Sequence, residues 1–234
     1  SLADYWVYVY APGNGTRANW NQKFKDGAIP QTDGFIFKGP GREQDYVFMG
    51  TPKDGNITTP QNIGALESYL VGNPFASALS VRRFIEDNTT SISGTLYFWE
   101  HQESAINESS VDGHAFSGYT GGYAVRNIDM GLAANNPLND SNDNNGTSGI
   151  GQGNFKVPGP YIAVGQGFFI GGSPTGGPVV FNNSQREYIL ETGANPESIF
   201  FKKGLMFIFF VVMIVILFRF FFGKINNIID CNSA

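Results

Sequence analysis

Cysteine is nearly absent from this sequence. Its 234 residues include a single cysteine, Cys231, which lies close to the C-terminal end. A disulfide framework needs pairs of cysteines, and a thiolate zinc site needs several of them close together. Residues 1–198 hold no cysteine, so this part of the chain has neither a disulfide framework nor a thiolate zinc site.

Positive charge is also scarce. Residues 1–198 contain 11 Lys and Arg against 19 Asp and Glu, a net charge of −8, and Arg82-Arg83 is their only pair of adjacent basic residues. Nucleic-acid binding relies on clustered Lys and Arg that neutralise phosphates. We therefore expect no nucleic-acid partner.

Common catalytic signatures are missing as well. The sequence has no Gly-x-Ser-x-Gly, His-Glu-x-x-His or phosphate-loop lysine motif, and His101 and His114 lack the spacing of paired metal ligands. We therefore predict a protein that is not an enzyme and that has no catalytic residues. A glycosidase stays open as the alternative, because the separation of its two carboxylates is spatial and leaves no sequence motif.

Short apolar or alternating runs recur in residues 1–198 and are bounded by Gly, Pro, Asn and Asp, a pattern typical of antiparallel β architecture. The predicted strands are 5–10, 35–38, 46–49, 68–71, 95–99, 123–126, 161–164, 168–170 and 179–181. Val81, Phe84 and Ile85 follow Ser80 at helical spacing, which predicts one short helix near 80–87. We expect an all-β fold, an antiparallel β-sandwich resembling a jelly roll.

An Asn- and Asp-rich stretch at 133–153 has little apolar surface, and it predicts a long mobile surface loop. Within it, Asp140, Asn142 and Asn144 alternate in the way that oxygen ligands do in Ca²⁺ loops. The Gly and Glu that an EF-hand needs at its sixth and twelfth positions are missing when counted from Asp140. The loop is a candidate Ca²⁺ site, with a plain solvated loop as the alternative, and no other cofactor is expected.

Aromatic residues suggest a different kind of site. Trp20 lies between polar neighbours, which favours an exposed ring, and Tyr119 and Tyr123 fall in one predicted loop. Together they are candidates for a platform that binds sugar rings. Tyr97 and Trp99 belong to a dense apolar run and are expected in the core instead.

The C-terminal tail, residues 199–234, has a different composition. It holds nine of the 21 Phe but only two of the 30 Gly, and residues 205–218 form an unbroken apolar run. A helix over 205–222 is about 27 Å long, close to the ~30 Å hydrocarbon core of a bilayer. We expect a separate apolar helix that anchors the chain in a membrane. A reading-frame slip in an A/T-rich gene is the alternative origin of the tail.

Six sequence phrases occur in one order: YVFMGTPKDG at 46–55, LVGNPFASAL at 70–79, GTLYFWEH at 94–101, GGYAV at 121–125, VGQGFF at 164–169 and VFNNS at 180–184. In these phrases the chain resembles a region of secreted, surface-exposed proteins of Bacteroidetes, which are cargo of the type IX secretion system. The apolar tail departs from that family, whose members continue into polar β sequence.

The resemblance implies an exported, adhesin-like module and supplies no catalytic residues. We therefore expect residues 1–198 to be an extracellular, non-enzymatic domain with structural or adhesive work at the cell surface. The expected partners are surface glycans or other cell-surface proteins. The alternative is a carbohydrate-binding module or a fragment of a carbohydrate-active enzyme.

Overall fold

The computed structural model of the chain describes residues 6–24, 26–38, 49–101, 121–134, 157–189 and 206–207. Within these residues the fold is mostly β, with one short α-helix, as the sequence predicts. In chain order the elements are β1 (Val7–Tyr10), β2 (Trp20–Gln22), β3 (Phe35–Lys38), β4 (Ile57–Thr58), β5 (Ser68–Gly72), β6 (Ala78–Ser80), α1 (Val81–Asp87), β7 (Ile92–His101), β8 (Gly121–Arg126), β9 (Gly131–Leu132), β10 (Tyr161–Ile162), β11 (Gly167–Gly172), β12 (Val180–Phe181), β13 (Arg186–Glu187) and β14 (Met206–Phe207).

Within the described residues these strands form four sheets, in which neighbouring strands pair in antiparallel fashion. The largest sheet has the order β5-β11-β7-β8-β9, and a second has the order β14-β3-β1-β2. Two small sheets, β10-β6-β13 and β12-β4, complete the set. The predicted strand at 46–49 lies outside the described residues, except for Met49.

Both faces of the five-stranded sheet carry apolar side chains, because the alternation of its strands divides them between the two sides. One face holds residues such as Phe168 and Ile170 of β11 and Leu96 and Phe98 of β7, which are buried in the main core. Phe169 of β11 lies on the opposite face. Neighbouring apolar residues of one strand therefore face opposite sides of the sheet.

The main core is covered by α1, whose Val81, Phe84 and Ile85 are buried in it. The helix begins at the predicted N-cap, since the Ser80 hydroxyl accepts a hydrogen bond from the Arg83 backbone N–H at 3.4 Å. The Phe84 ring meets Phe168 edge to face at a centroid distance of 5.4 Å. The helical spacing read from the sequence thus places one helix face against the sheet.

The edge of β5 that does not pair with β11 is bonded to two loops, one between β1 and β2 and one between β2 and β3. Gly13 and Ser68 exchange backbone hydrogen bonds of 3.0 and 2.7 Å. Farther along β5, the Gly34 N–H donates to the Leu70 carbonyl at 3.0 Å, and Gly72 donates to the Thr32 carbonyl at 2.9 Å. These bonds satisfy backbone groups of the edge strand and hold the four-stranded sheet beside the five-stranded one.

Glycine is required where β11 runs close to another backbone segment. A Cβ atom on Gly172 would lie 2.0 Å from the carbonyl oxygen of Gly64, far inside contact distance. The glycine-rich composition around 165–172 predicts such a close approach, and the structure confirms it at this position.

The predicted loop and tail are described only at their edges. Ala133 and Ala134, at the start of the predicted mobile loop, are buried, while residues 135–153 lie outside the described residues. Within the predicted apolar helix at 205–222, only Met206 and Phe207 are described, and they form strand β14 paired with β3. The helix itself is not shown. In the part of the chain that the structure describes, no helix is long and apolar enough to cross a membrane.

A buried polar pair joins the segment between β2 and β3 to the face of β5 that enters the main core. The Tyr69 hydroxyl donates a hydrogen bond to the Asp33 carboxylate, and both side chains are buried. Burial raises the pKa of Asp33, although the bond from Tyr69 and the charge of Lys23 act in the opposite direction. Burial and the neighbouring Asp33 also raise the pKa of Tyr69. Because the Asp33 carboxylate is buried away from water, the hydrogen bond from Tyr69 replaces one that water would otherwise donate.

We predict that Tyr69→Phe lowers the free energy of unfolding by about 1–3 kcal/mol, because the Asp33 carboxylate stays buried without its phenol donor. Urea denaturation at pH 7 measures the change. Tyr188→Phe is the matched control, since Tyr188 is 75% exposed, and it should change stability by less than about 0.5 kcal/mol. Equal effects of the two substitutions would contradict a role for the buried pair.

Candidate functional site

The second face of the five-stranded sheet carries a cluster of aromatic side chains. Pairing register brings Phe169 of β11 opposite Tyr97 of β7, and Trp99 of β7 opposite Tyr123 of β8. Residues paired in this way share a face, so the cross-strand pairs build one aromatic surface. The Trp99 and Tyr123 rings meet edge to face at 5.1 Å.

The β1–β2 hairpin adds two more rings to this surface. Tyr10 pairs with Trp20 in the hairpin register, and their rings lie 5.0 Å apart at an interplanar angle of 75°. Both rings reach Phe169, at centroid distances of 5.2 Å from Tyr10 and 6.2 Å from Trp20. The Tyr123 ring also meets Phe169, at a centroid distance of 5.8 Å. Phe169 is thus the centre of the cluster, with edge-to-face contacts to three rings.

These rings border an open pocket of about 270 Å³. Its aromatic lining consists of Tyr10, Trp20, Tyr97, Tyr123 and Phe169. Gly15 and Ser68 complete the described lining, and they belong to the segments where the hairpin loop joins β5. We call this cavity the aromatic pocket.

The side chains that line the aromatic pocket carry hydroxyls, on Ser68 and three tyrosines, and one indole N–H, on Trp20. The Tyr10 hydroxyl accepts a hydrogen bond from the Gly15 backbone N–H at 2.9 Å. Desolvation of the Tyr123 phenol, together with the nearby Tyr10, raises the pKa of Tyr123 to about 12, although 44% of this residue is exposed. The Tyr123 phenol is therefore neutral at physiological pH. None of the described lining residues carries a charged side chain.

The structure brings together two of the three predicted platform residues. Trp20 and Tyr123 line the same pocket, and Tyr119 lies outside the described residues. Trp20 is half-buried rather than fully exposed, because Tyr10 and Phe169 pack against its ring. The polar neighbours Asn21 and Gln22 are exposed, as the flanking sequence suggests.

Tyr97 and Trp99 differ from the expectation that they fill the core. Leu96 and Phe98 are the residues of this run that enter the core, while Tyr97 and Trp99 are half-buried on the opposite face. In a strand, alternate side chains point to opposite sides, so a dense apolar run supplies both faces of the sheet. The same alternation separates Phe168 from Phe169. Strand alternation therefore predicts that Tyr97 and Phe169 lie on a different face from Leu96 and Phe168, but it does not tell which face is the core.

The predicted Ca²⁺ ligands Asp140, Asn142 and Asn144 lie outside the described residues. Among the residues that are described, no group of three or more His, Cys, Asp and Glu side chains could hold a metal ion. The Ca²⁺ site stays a prediction about the 135–153 segment.

The fold and the pocket define a mostly β domain with an aromatic cavity on one sheet face. The family model described as Domain of unknown function (DUF8693) matches residues 2–205, and the chain belongs to this family. No curated protein and no solved structure matches the chain.

The raised pKa of Tyr123 predicts a late ionisation. Its neutral form is favoured in the folded protein, so its contribution to stability is fully present below pH 10 and is lost as the pH rises to about 12. Absorbance titration of the wild type and of Tyr123→Phe isolates this phenol as a difference curve, with an expected midpoint near 12. In denaturant the midpoint should fall to about 10. A midpoint near 10 in the folded protein would contradict the desolvated environment.

Proposed function

We propose that this chain is a non-enzymatic adhesion domain that binds glycans through the aromatic pocket. The observation that carries the proposal is the gathering of five aromatic residues from five strands around one open cavity, namely Tyr10, Trp20, Tyr97, Tyr123 and Phe169. Aromatic rings and a few placed hydroxyls on rigid strands are the usual composition of a small-molecule site. This pocket includes two residues that the sequence already nominates for sugar contact.

A sugar ring suits such a lining better than a purely apolar ligand does. A pyranose has apolar C–H groups on its ring faces and hydroxyls around its rim. The pocket offers apolar ring surface together with the hydroxyls of four lining residues, Tyr10, Ser68, Tyr97 and Tyr123. A ligand that covers these hydroxyls removes them from water, and the lost hydrogen bonds to water cost free energy unless the ligand replaces them, so the hydroxyls favour a ligand that can hydrogen-bond with them.

Binding is favoured over glycoside hydrolysis by the chemistry of the lining. Glycosidases place two carboxylates about 5–9.5 Å apart on either side of the scissile bond. The described lining of the aromatic pocket contains no Asp or Glu. A carbohydrate-active enzyme is therefore the second candidate function. Release of reducing sugar from a bound polysaccharide would favour it over binding alone.

The finer architecture belongs to the same proposal. We infer that the four-stranded and five-stranded sheets form an antiparallel β-sandwich resembling a jelly roll. This is supported by contacts between their facing sides, where Tyr10 of β1 packs with Leu70 of β5 and Phe169 of β11. The aromatic pocket then lies where the four-stranded sheet leaves part of the Phe169 face of the five-stranded sheet uncovered.

The cellular setting rests on the resemblance to surface proteins of Bacteroidetes. We propose export by the type IX route and exposure at the cell surface, where a glycan-binding domain meets its ligands. Residues 205–222 are the candidate membrane anchor in this proposal.

The proposal predicts that polysaccharides retard the wild-type chain in affinity gels and that Trp20→Ala and Tyr123→Ala each weaken binding about tenfold, roughly 1.4 kcal/mol. Loss of ring surface from the pocket is the physical reason. Tyr188→Ala removes an exposed ring that does not line the pocket and should bind like the wild type.

Thermal unfolding of each variant separates lost binding from lost folding. A glycan panel that neither retards the folded wild type nor changes its Trp fluorescence would overturn the proposed function.

A further inference from the structure

We propose that the aromatic pocket accommodates one uncharged pyranose ring, which Tyr10 orients by donating a hydrogen bond. This inference rests on the proposed glycan-binding function and specifies the class of sugar that the site takes. It combines the charge of the site, its size and the hydrogen-bonding state of one hydroxyl.

Charge excludes acidic sugars from the pocket. A carboxylate moved from water into the pocket would need a cationic partner there, and the described lining has no Lys, Arg or His. Residues 1–198 also carry a net charge of −8, which repels anionic ligands at longer range. Hexuronates and other acidic sugars are therefore poor ligands, whereas a neutral hexose meets no such penalty.

Size limits the ligand to about one ring. The pocket volume of about 270 Å³ lies below the range of roughly 300–1,000 Å³ that is typical of sites for drug-sized ligands. Further sugars of a chain would extend beyond the described aromatic lining. Affinity should therefore come from a single residue of the glycan and rise little with chain length.

Tyr10 is a polar residue of the pocket whose position is fixed by its contacts. Its residue is only 4% exposed, and its ring is held by edge-to-face contacts with Trp20 and Phe169. Its oxygen already accepts the Gly15 N–H, which leaves the hydroxyl proton as the group that it offers to a ligand. A donor fixed in this way loses little conformational freedom on binding. Tyr10 is thus a specificity-determining residue that requires an acceptor oxygen on the sugar.

The test uses the full chain and isothermal titration with methyl glycosides of glucose, galactose and mannose, their hexuronate counterparts, and oligosaccharides of the best-bound sugar. We expect at least one neutral methyl glycoside to bind within about threefold of its oligosaccharides, and the matching hexuronate to bind at least about tenfold more weakly. Equal binding of the hexuronate, or an affinity that rises tenfold with chain length, would overturn the inference while leaving glycan binding intact.

The role of Tyr10 is tested by Tyr10→Phe, which should weaken binding of the neutral glycoside about three- to tenfold. Tyr8→Phe, in the same strand but outside the described lining, is the matched control and should have no effect. Monodeoxy glycosides provide a second measurement, since the analogue that lacks the accepting oxygen should bind both wild type and Tyr10→Phe equally.

Equal losses for every deoxy analogue in the two proteins would show that Tyr10 does not orient the sugar. Absence of binding to every glycan in the panel would instead overturn the proposed function itself.

Discussion

The strict alternation of side chains in strand β11 is the constraint on which the rest of the structure depends. Phe168 and Ile170 enter the main core, and Phe169, one residue out of phase, faces the opposite side of the sheet. A shift of one residue in register would exchange these sets and place the aromatic centre of the pocket inside the core. The pairing of β11 with β5 and β7 on its two sides holds that register. The main core and the aromatic pocket are therefore opposite faces of the same sheet.

The two faces are covered in different ways, and this difference creates the pocket. Helix α1 and the small sheets bury the main core, so rings such as Phe84 and Phe168 have no exposed surface to offer. The other face receives the β1–β2 hairpin, which is held at the β5 edge by the backbone bonds between Gly13 and Ser68. That hairpin covers Leu70 fully and leaves Tyr123 partly exposed. An apolar sheet face that is only partly covered is a suitable position for a ligand site.

Local sequence patterns predict where strands and the helix lie better than they predict which strands pair. The strand at Phe35–Lys38 was predicted with the bounds that the structure has, and the Ser80 cap and helical spacing located α1. Short strands such as β4 and β13 were missed, because two residues carry no periodicity and their strand state depends on the neighbour they pair with. The expectation that Tyr97 and Trp99 fill the core was wrong, because a run that is apolar at every position from 96 to 99 conceals which side chains face the core.

The sequence by itself determined a mostly β domain without cysteines, an acidic composition and the nomination of Trp20 and Tyr123 for sugar contact. Those properties follow from composition, local periodicity and flanking residues, which act over a few positions of the chain. Only the tertiary structure decided that Trp20 and Tyr123 lie beside Phe169 in one pocket, although more than a hundred residues separate Trp20 from Tyr123. Sheet register and the attachment of the hairpin to β5 bring them together. Such contacts are set by long-range strand pairing, for which a single sequence holds no local signal.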